Sequence, residues 1–157
     1  LLAVALTRQV SRLDAHAVFD PLLVAMLAEI PIFAPLSESA LEHLASSLSQ
    51  VVLPAGAIVF SQGDHGDGFY VVEDGEAEVS IDGARVHTLG PGDYFGEIAL
   101  LRDVPRTATI QALTDVRLQR LERAPFIGTV TGNPTSSDAA DAVIGSRLGL
   151  RSGFTSV

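Results

Sequence analysis

Residues 92–110 hold most of the side chains able to do chemistry: Gly-Asp-Tyr-Phe-Gly-Glu-Ile-Ala-Leu-Leu-Arg-Asp-Val-Pro-Arg-Thr-Ala-Thr-Ile. Gly96 allows the backbone to approach a bound group closely. Ile98 and Ala99 are placed to open a one-turn helix whose unpaired N–H groups attract an anion. Glu97 sets a carboxylate beside them. A carboxylate only accepts hydrogen bonds, so it suits a ligand that carries hydroxyls as well as negative charge. Arg106 supplies a fixed positive charge with a planar fork that matches a phosphate. Hydroxyls and one phosphate on a small molecule point to a nucleotide. As an isolated Glu and Arg, Glu97 and Arg106 would simply pair with each other.

These residues need a scaffold, and the pattern of the chain supplies one. Up to about residue 48 the period is helical. Leu23, Met26, Leu27 and Ile30 fall on one stripe before Pro31 and Pro35. Ser37 or Ser39 can cap the next helix, Ser39 with Glu42 fitting a capping box, and Leu41, Leu44 and Leu48 form its buried face. From about residue 50 to 121 the period becomes two. Strands are expected at 51–53, 57–60, 69–72, 77–81, 85–89, 107–113 and 116–121, separated by Gly- and Asp-rich turns. Strands this short and regular argue for a sandwich or jelly-roll barrel. Residues 95–101 break the alternation and predict one or two helical turns. A short helix over 125–130 and a last one over about 137–148, capped by Ser136 or Ser137, follow, with Gly145 and Gly149 weakening the latter. Residues after Arg151 read as a loose tail.

The segment Phe95-Gly96-Glu97-Ile98-Ala99-Leu100-Leu101, followed after four residues by Arg106-Thr107-Ala108-Thr109, resembles the phosphate-binding cassette of the cyclic nucleotide-binding domain family. Gly63-Asp64-x-Gly66-Asp67-x-Phe69-Tyr70-Val71-Val72-x-x-Gly75 extends the likeness, which covers about residues 32–148. The resemblance implies an α+β fold, a β-roll flanked by an N-terminal helical bundle and two C-terminal helices. It divides the chain into a helical linker (1–30), the binding domain (31–149) and a loose tail (150–157). It implies that Glu97 accepts from the ribose 2′-hydroxyl and that Arg106 pairs with the cyclic phosphate. The backbone N–H groups of Ala99 and Thr107 would cradle that phosphate, with Gly96, Ile98 and Ala108 beside them. Asp67 would brace the arginine from behind. Val79 and Val86 would face the base. The last helix of such domains lids the pocket; this one has no aromatic residue, and Arg147 is a candidate lid. A hydroxyl at the position of Thr107 permits cyclic GMP, yet cyclic AMP is favoured, with cyclic GMP as a second ligand.

Composition narrows the alternatives. The 157 residues carry a net charge of −9, which opposes binding to nucleic acid. There is no cysteine, and all ten basic residues are arginine, so thiolate chemistry, Schiff-base lysines and Walker-type loops are excluded. His16, His43, His65 and His87 lack metal-ligand spacing, so neither a metal nor a cupin-type enzyme is expected. No nucleophile elbow is present, and no catalytic residue is assigned. The expectation is a regulatory module, not an enzyme, that signals through its flanking helices to a fused or neighbouring effector. A cyclic AMP-receptor type of transcription factor lacking its DNA-binding part, and a degenerate interaction module, are the rivals. Leu1–Leu6 followed by Arg8 and Arg12 has the look of a membrane-helix end at a cytoplasmic face. The string from Asp20-Pro21-Leu22 to Phe33-Ala34-Pro35-Leu36 is similar to the linker before such domains in bacterial membrane transporters of the major facilitator class. A cytoplasmic domain at the inner face of the plasma membrane follows from that likeness.

Overall fold

The computed structural model describes residues 20–154. Helices α1 (Pro21–Ala28) and α2 (Glu38–Ser47) lead into strands β1 (Ser49–Leu53), β2 (Ile58–Phe60), β3 (Gly68–Asp74), β4 (Ala77–Ile81), β5 (Ala84–Leu89) and β6 (Tyr94–Phe95). Helix α3 (Glu97–Arg102) then interrupts the strands before β7 (Thr109–Ala112) and β8 (Val116–Glu122), and α4 (Arg123–Thr131) and α5 (Pro134–Phe154) close the chain. The strands form two four-stranded antiparallel sheets, ordered β1-β8-β3-β6 and β2-β7-β4-β5. This is the α+β roll that the resemblance implies.

Strand β3 shows how the period-two pattern builds two cores. Tyr70 and Val72 join Ala77, Leu89, Phe95, Ile110, Ala112, Val116 and Leu118 between the sheets. Phe69 and Val71 point the other way and meet Leu27, Ile30, Phe33, Leu44, Leu121 and Phe126 beneath the helices. There Phe69 stacks on Phe126 at 4.8 Å and meets Phe33 edge-on at 5.4 Å, the arrangements aromatic pairs favour. A strand buried on both faces reads as a continuous apolar run, as Phe69–Val72 does. Leu27 and Ile30 belong to the helical core, so the segment from Pro21 onward is packed against the domain. Leu1–Leu6, Arg8, Arg12 and His16 lie outside the described residues.

Several boundaries differ from expectation. Of the two candidate caps of α2, Ser37 is the one used, its Oγ accepting from the Ala40 N–H. Ile30 is buried but follows the end of α1. Phe95 is in β6, opposite Tyr70, because its ring stacks on Tyr70 at 5.1 Å. Thr107 and Ala108 form a bend, and β7 starts only at Thr109. Helix α5 begins at Pro134, with Asn133 Oδ1 accepting from the Ser136 N–H. Ser136 instead donates to the Ile32 carbonyl, and Ser137 is inside the helix. Gly145 and Gly149 do not end α5, which continues to Phe154, past the point where a tail is expected. Two glycines cost such a helix only about 1 kcal/mol each, which a packed face carrying Ala140 and Ile144 offsets.

Candidate functional site

Gly96 sets the geometry. Its φ of 97° and ψ of −3° turn the chain from β6 into α3, a left-handed conformation that favours glycine. A Cβ there would lie 2.9 Å from Arg106 Nη1 and 2.9 Å from the Gly68 carbonyl oxygen. Having no side chain, Gly96 makes no side-chain cap for α3. Helix α3 opens at Glu97, one residue before Ile98 and two before Ala99. Ala99 is buried under Gly66, where a Cβ would lie only 2.8 Å from the alanine Cβ. Both residues are small because their backbones must meet.

Arg106 is held from several sides. Its Nη1 donates to the Gly96 carbonyl at 2.9 Å and its Nη2 to the Gly68 carbonyl at 2.7 Å. Its guanidinium lies 3.9 Å over the Phe60 ring. Its backbone exchanges 2.8 Å hydrogen bonds with the loop after β2, donating to Asp64 and accepting from Gly63. The side chain is 2% exposed, and its nearest carboxylate, Asp67 Oδ1, stands 3.7 Å away. Nε is buried without a partner among the described residues. Burial pulls the Arg106 pKa below its ordinary value, while arginine still carries its charge. Asp67 is thus beside the Arg106 guanidinium, at its exposed side.

Glu97 pairs not with Arg106 but with Arg147 of α5, whose Nη1 donates to Glu97 Oε1 at 2.6 Å. Arg147 Nη2 also donates to the Tyr94 carbonyl, and the guanidinium lies 4.5 Å from the Tyr94 ring centroid. Glu97 is fully buried, and its Oε2 has no partner among the described residues. Burial raises the Glu97 pKa above 4.5; Arg147, the glutamate's own backbone N–H and Arg106 oppose this only in part. Protonation therefore favours the folded, ligand-free protein. That contribution is complete below pH 4.5 and is lost as pH rises through the higher folded value. The melting temperature of the wild type should fall relative to Glu97→Gln as pH is raised from 4.5 to neutrality. Parallel melting curves would show that burial does not hold this carboxyl above its ordinary value.

The remaining expected residues lie around this centre. Val79 is on β4 and Val86 on β5, both half-buried. The ladder slips between Val79 and Ser80, which leaves Val86 without an opposing Cα partner. Such a bulge re-aims a side chain. Thr107 and Ala108 follow Arg106 in a half-buried bend. Phe60 and Arg120 carry no motif in the sequence, yet both reach this region, Phe60 under Arg106 and Arg120 against Asp67. Among the described residues, no group of three or more His, Cys, Asp or Glu is arranged to hold a metal ion. Nor is any described helix long and apolar enough to cross a membrane.

Comparison with known proteins matches this geometry to a family. The model of the cyclic nucleotide-binding domain matches residues 50–132, more than half of the chain. Over 103 residues, 65% of the chain, it is 45% identical to the cAMP-dependent protein kinase regulatory subunit of Schizosaccharomyces pombe. Over 104 residues it is 40% identical to the subunit of that name from Emericella nidulans. The match spans 25% of the length of each. Among solved structures, the regulatory domain of Toxoplasma gondii PKA with cAMP is 33% identical at a TM-score of 0.65, covering 68% of this chain and 42% of that one. A PKAR CBD2 bound to Sp-2Cl-cAMPS is 27% identical at 0.73, covering 83% and 87%. The sensor domain of the transcriptional regulator DNR from Pseudomonas aeruginosa is 27% identical at 0.69, covering 80% and 92%.

Proposed function

The chain belongs to the cyclic nucleotide-binding domain family, and from that premise we propose that it is a non-catalytic regulatory module binding a 3′,5′-cyclic nucleotide in the roll, cyclic AMP ahead of cyclic GMP. One observation carries this reading. Glu97 Oε2 and Arg106 Nε are buried without partners among the described residues, and Arg106 Nη1 reaches the carbonyl of Gly96, the residue next to Glu97. Leaving such groups unpaired costs about 1–3 kcal/mol each. A ligand with a ribose hydroxyl to donate and an anionic phosphate answers both. Gly96, Ile98, Ala99, Thr107 and Ala108 would frame the phosphate, and Val79 and Val86 the base.

Occupancy would be transmitted through α5. The ribose hydroxyl would share with Arg147 the carboxylate that anchors this helix. A ligand shifts such an equilibrium by its differential contacts in the two arrangements. The effector is a fused or neighbouring protein. A membrane transporter is supported by the Asp20–Leu36 string alone, and a kinase by the names of the matched relatives. We place the module on the cytoplasmic side of the membrane. The likeness to the DNR sensor domain supports a transcription-factor parent, but the net charge of −9 opposes binding of this segment to nucleic acid.

Thermal melting tests the ligand class. A ligand at a hundred times its Kd adds about 2.7 kcal/mol, a rise of about 5–10 °C for a chain of this size. Cyclic AMP should give that rise and linear 5′-AMP a small one. Equal shifts would indicate a general anion site, and no shift with any cyclic nucleotide a module that has lost its ligand.

Base preference rests on Thr107. Its hydroxyl can serve the phosphate and also a syn guanine, while the valine wall makes no hydrogen bond to either purine. A single hydrogen bond is worth only about 0.5–1.5 kcal/mol, enough for cyclic GMP to bind detectably; cyclic AMP is put first on the names of the matched relatives. Thr107→Ala should weaken cyclic GMP more than cyclic AMP in competition titrations. Equal losses would limit the hydroxyl to the phosphate.

A further inference from the structure

We propose that Arg120 is a positioning residue for Arg106, an inference that rests on the site reading above. Arg120 is on β8, directly opposite Tyr70 of β3. Val116 and Leu118 of β8 turn into the roll, and the alternation puts Arg120 on the same side. Its Nη2 donates to the Asp67 carbonyl at 3.2 Å and lies 3.3 Å from Asp67 Oδ2. Its Nε donates to the Tyr70 hydroxyl at 3.3 Å.

Arg106 takes hold of the same segment from the other side, through the Gly68 carbonyl at 2.7 Å and Asp67 Oδ1 at 3.7 Å. The Asp67–Gly68 peptide is therefore clamped between two guanidiniums, and each oxygen of one carboxylate faces a different one. Position 68 must be glycine for this to fit: a Cβ there would lie 2.7 Å from Arg120 Nε. The circuit closes through rings, since Phe60 lies under Arg106 and meets Tyr70 at 6.0 Å.

Asp67 cannot hold Arg106 unaided. Its side chain is 69% exposed and its contact with Arg106 is long, and exposed pairs contribute little. The Gly68 carbonyl, the shortest contact of Arg106, belongs to backbone that the β8 ladder, the Arg123 N–H and Arg120 hold together. Arg120 is 21% exposed and ties down both Asp67 and Tyr70. Removing it would leave the Asp67 carbonyl to the Arg123 N–H alone, at 3.1 Å, and so loosen the aim of Arg106.

A double-mutant cycle on cyclic AMP affinity tests this. Arg120→Ala should weaken binding about three- to tenfold in the wild-type background. In an Arg106→Lys background, where no fork remains to be aimed, the same change should cost less than about twofold. Arg120→Lys, which keeps charge and one donor, should recover part of the loss. A purely structural role would give equal factors in both backgrounds and would overturn the proposal, as would wild-type affinity in Arg120→Ala. If Arg120→Ala does not fold, Arg120→Gln carries the same cycle with a smaller loss. Wild-type protein that binds no cyclic nucleotide overturns this inference and the site reading together, whereas normal wild-type binding with an indifferent Arg120 overturns the inference alone.

Discussion

Arg106→Ala is expected to weaken cyclic AMP binding at least tenfold. The guanidinium is 2% exposed, and two backbone carbonyls hold its Nη atoms while Nε stays free. It is thus preorganised, and little ordering is left for the ligand to impose. A charge-assisted hydrogen bond of this kind contributes about 1.5–3 kcal/mol, and about 1.36 kcal/mol is a factor of ten. Arg106→Lys should recover only part, because one ammonium cannot hold both carbonyls and a phosphate in a plane. Titration of the three proteins under identical salt decides the matter. Undiminished affinity in Arg106→Ala would move the phosphate elsewhere.

Gly96→Ala should damage fold and binding together. A side chain at a φ of 97° carries backbone strain. The new Cβ also meets Gly68 O and Arg106 Nη1, each at 2.9 Å. Gly68 O is backbone and itself accepts from Arg106, so neither neighbour retreats without loosening the anchor. Strain and overpacking of this kind cost about 2 kcal/mol or more, visible as a lower melting temperature. Gly83→Ala is the control. Its φ is 81°, but nothing lies within 4 Å of the added Cβ, so it should lose stability through strain alone and keep its ligand affinity. Equal affinity losses in the two variants would contradict the role given to Gly96.

What could be read from the sequence was what is local in it. Gly96, Glu97 and Arg106 fall within one short stretch, and their residue types already name a hydroxylated anion. Strand β3 was legible as the apolar run Phe69–Val72, but such a run does not say which core each residue joins: Phe69 and Val71 face the helices and Tyr70 and Val72 the roll. Arg147 was visible only as a candidate lid, since its partner Glu97 is 50 residues away and no spacing rule links them. Phe60 and Arg120 were not visible at all. An aromatic residue in a strand and an arginine in a strand have ordinary structural uses, and only the closed roll brings both against the loop that carries Asp67. Where two candidate caps stood close together, as Ser37 and Ser39 do, spacing left the choice open. The choice between them is made by tertiary packing of Leu36 and Leu41 in the helical core.

Calorimetric titration of the purified chain with cyclic AMP, beside cyclic GMP and linear 5′-AMP, tests the central claim most directly. One cyclic AMP per chain is expected, with cyclic GMP weaker and 5′-AMP weaker still. Saturable binding that does not distinguish cyclic AMP from 5′-AMP, or no binding of either cyclic nucleotide, would contradict it.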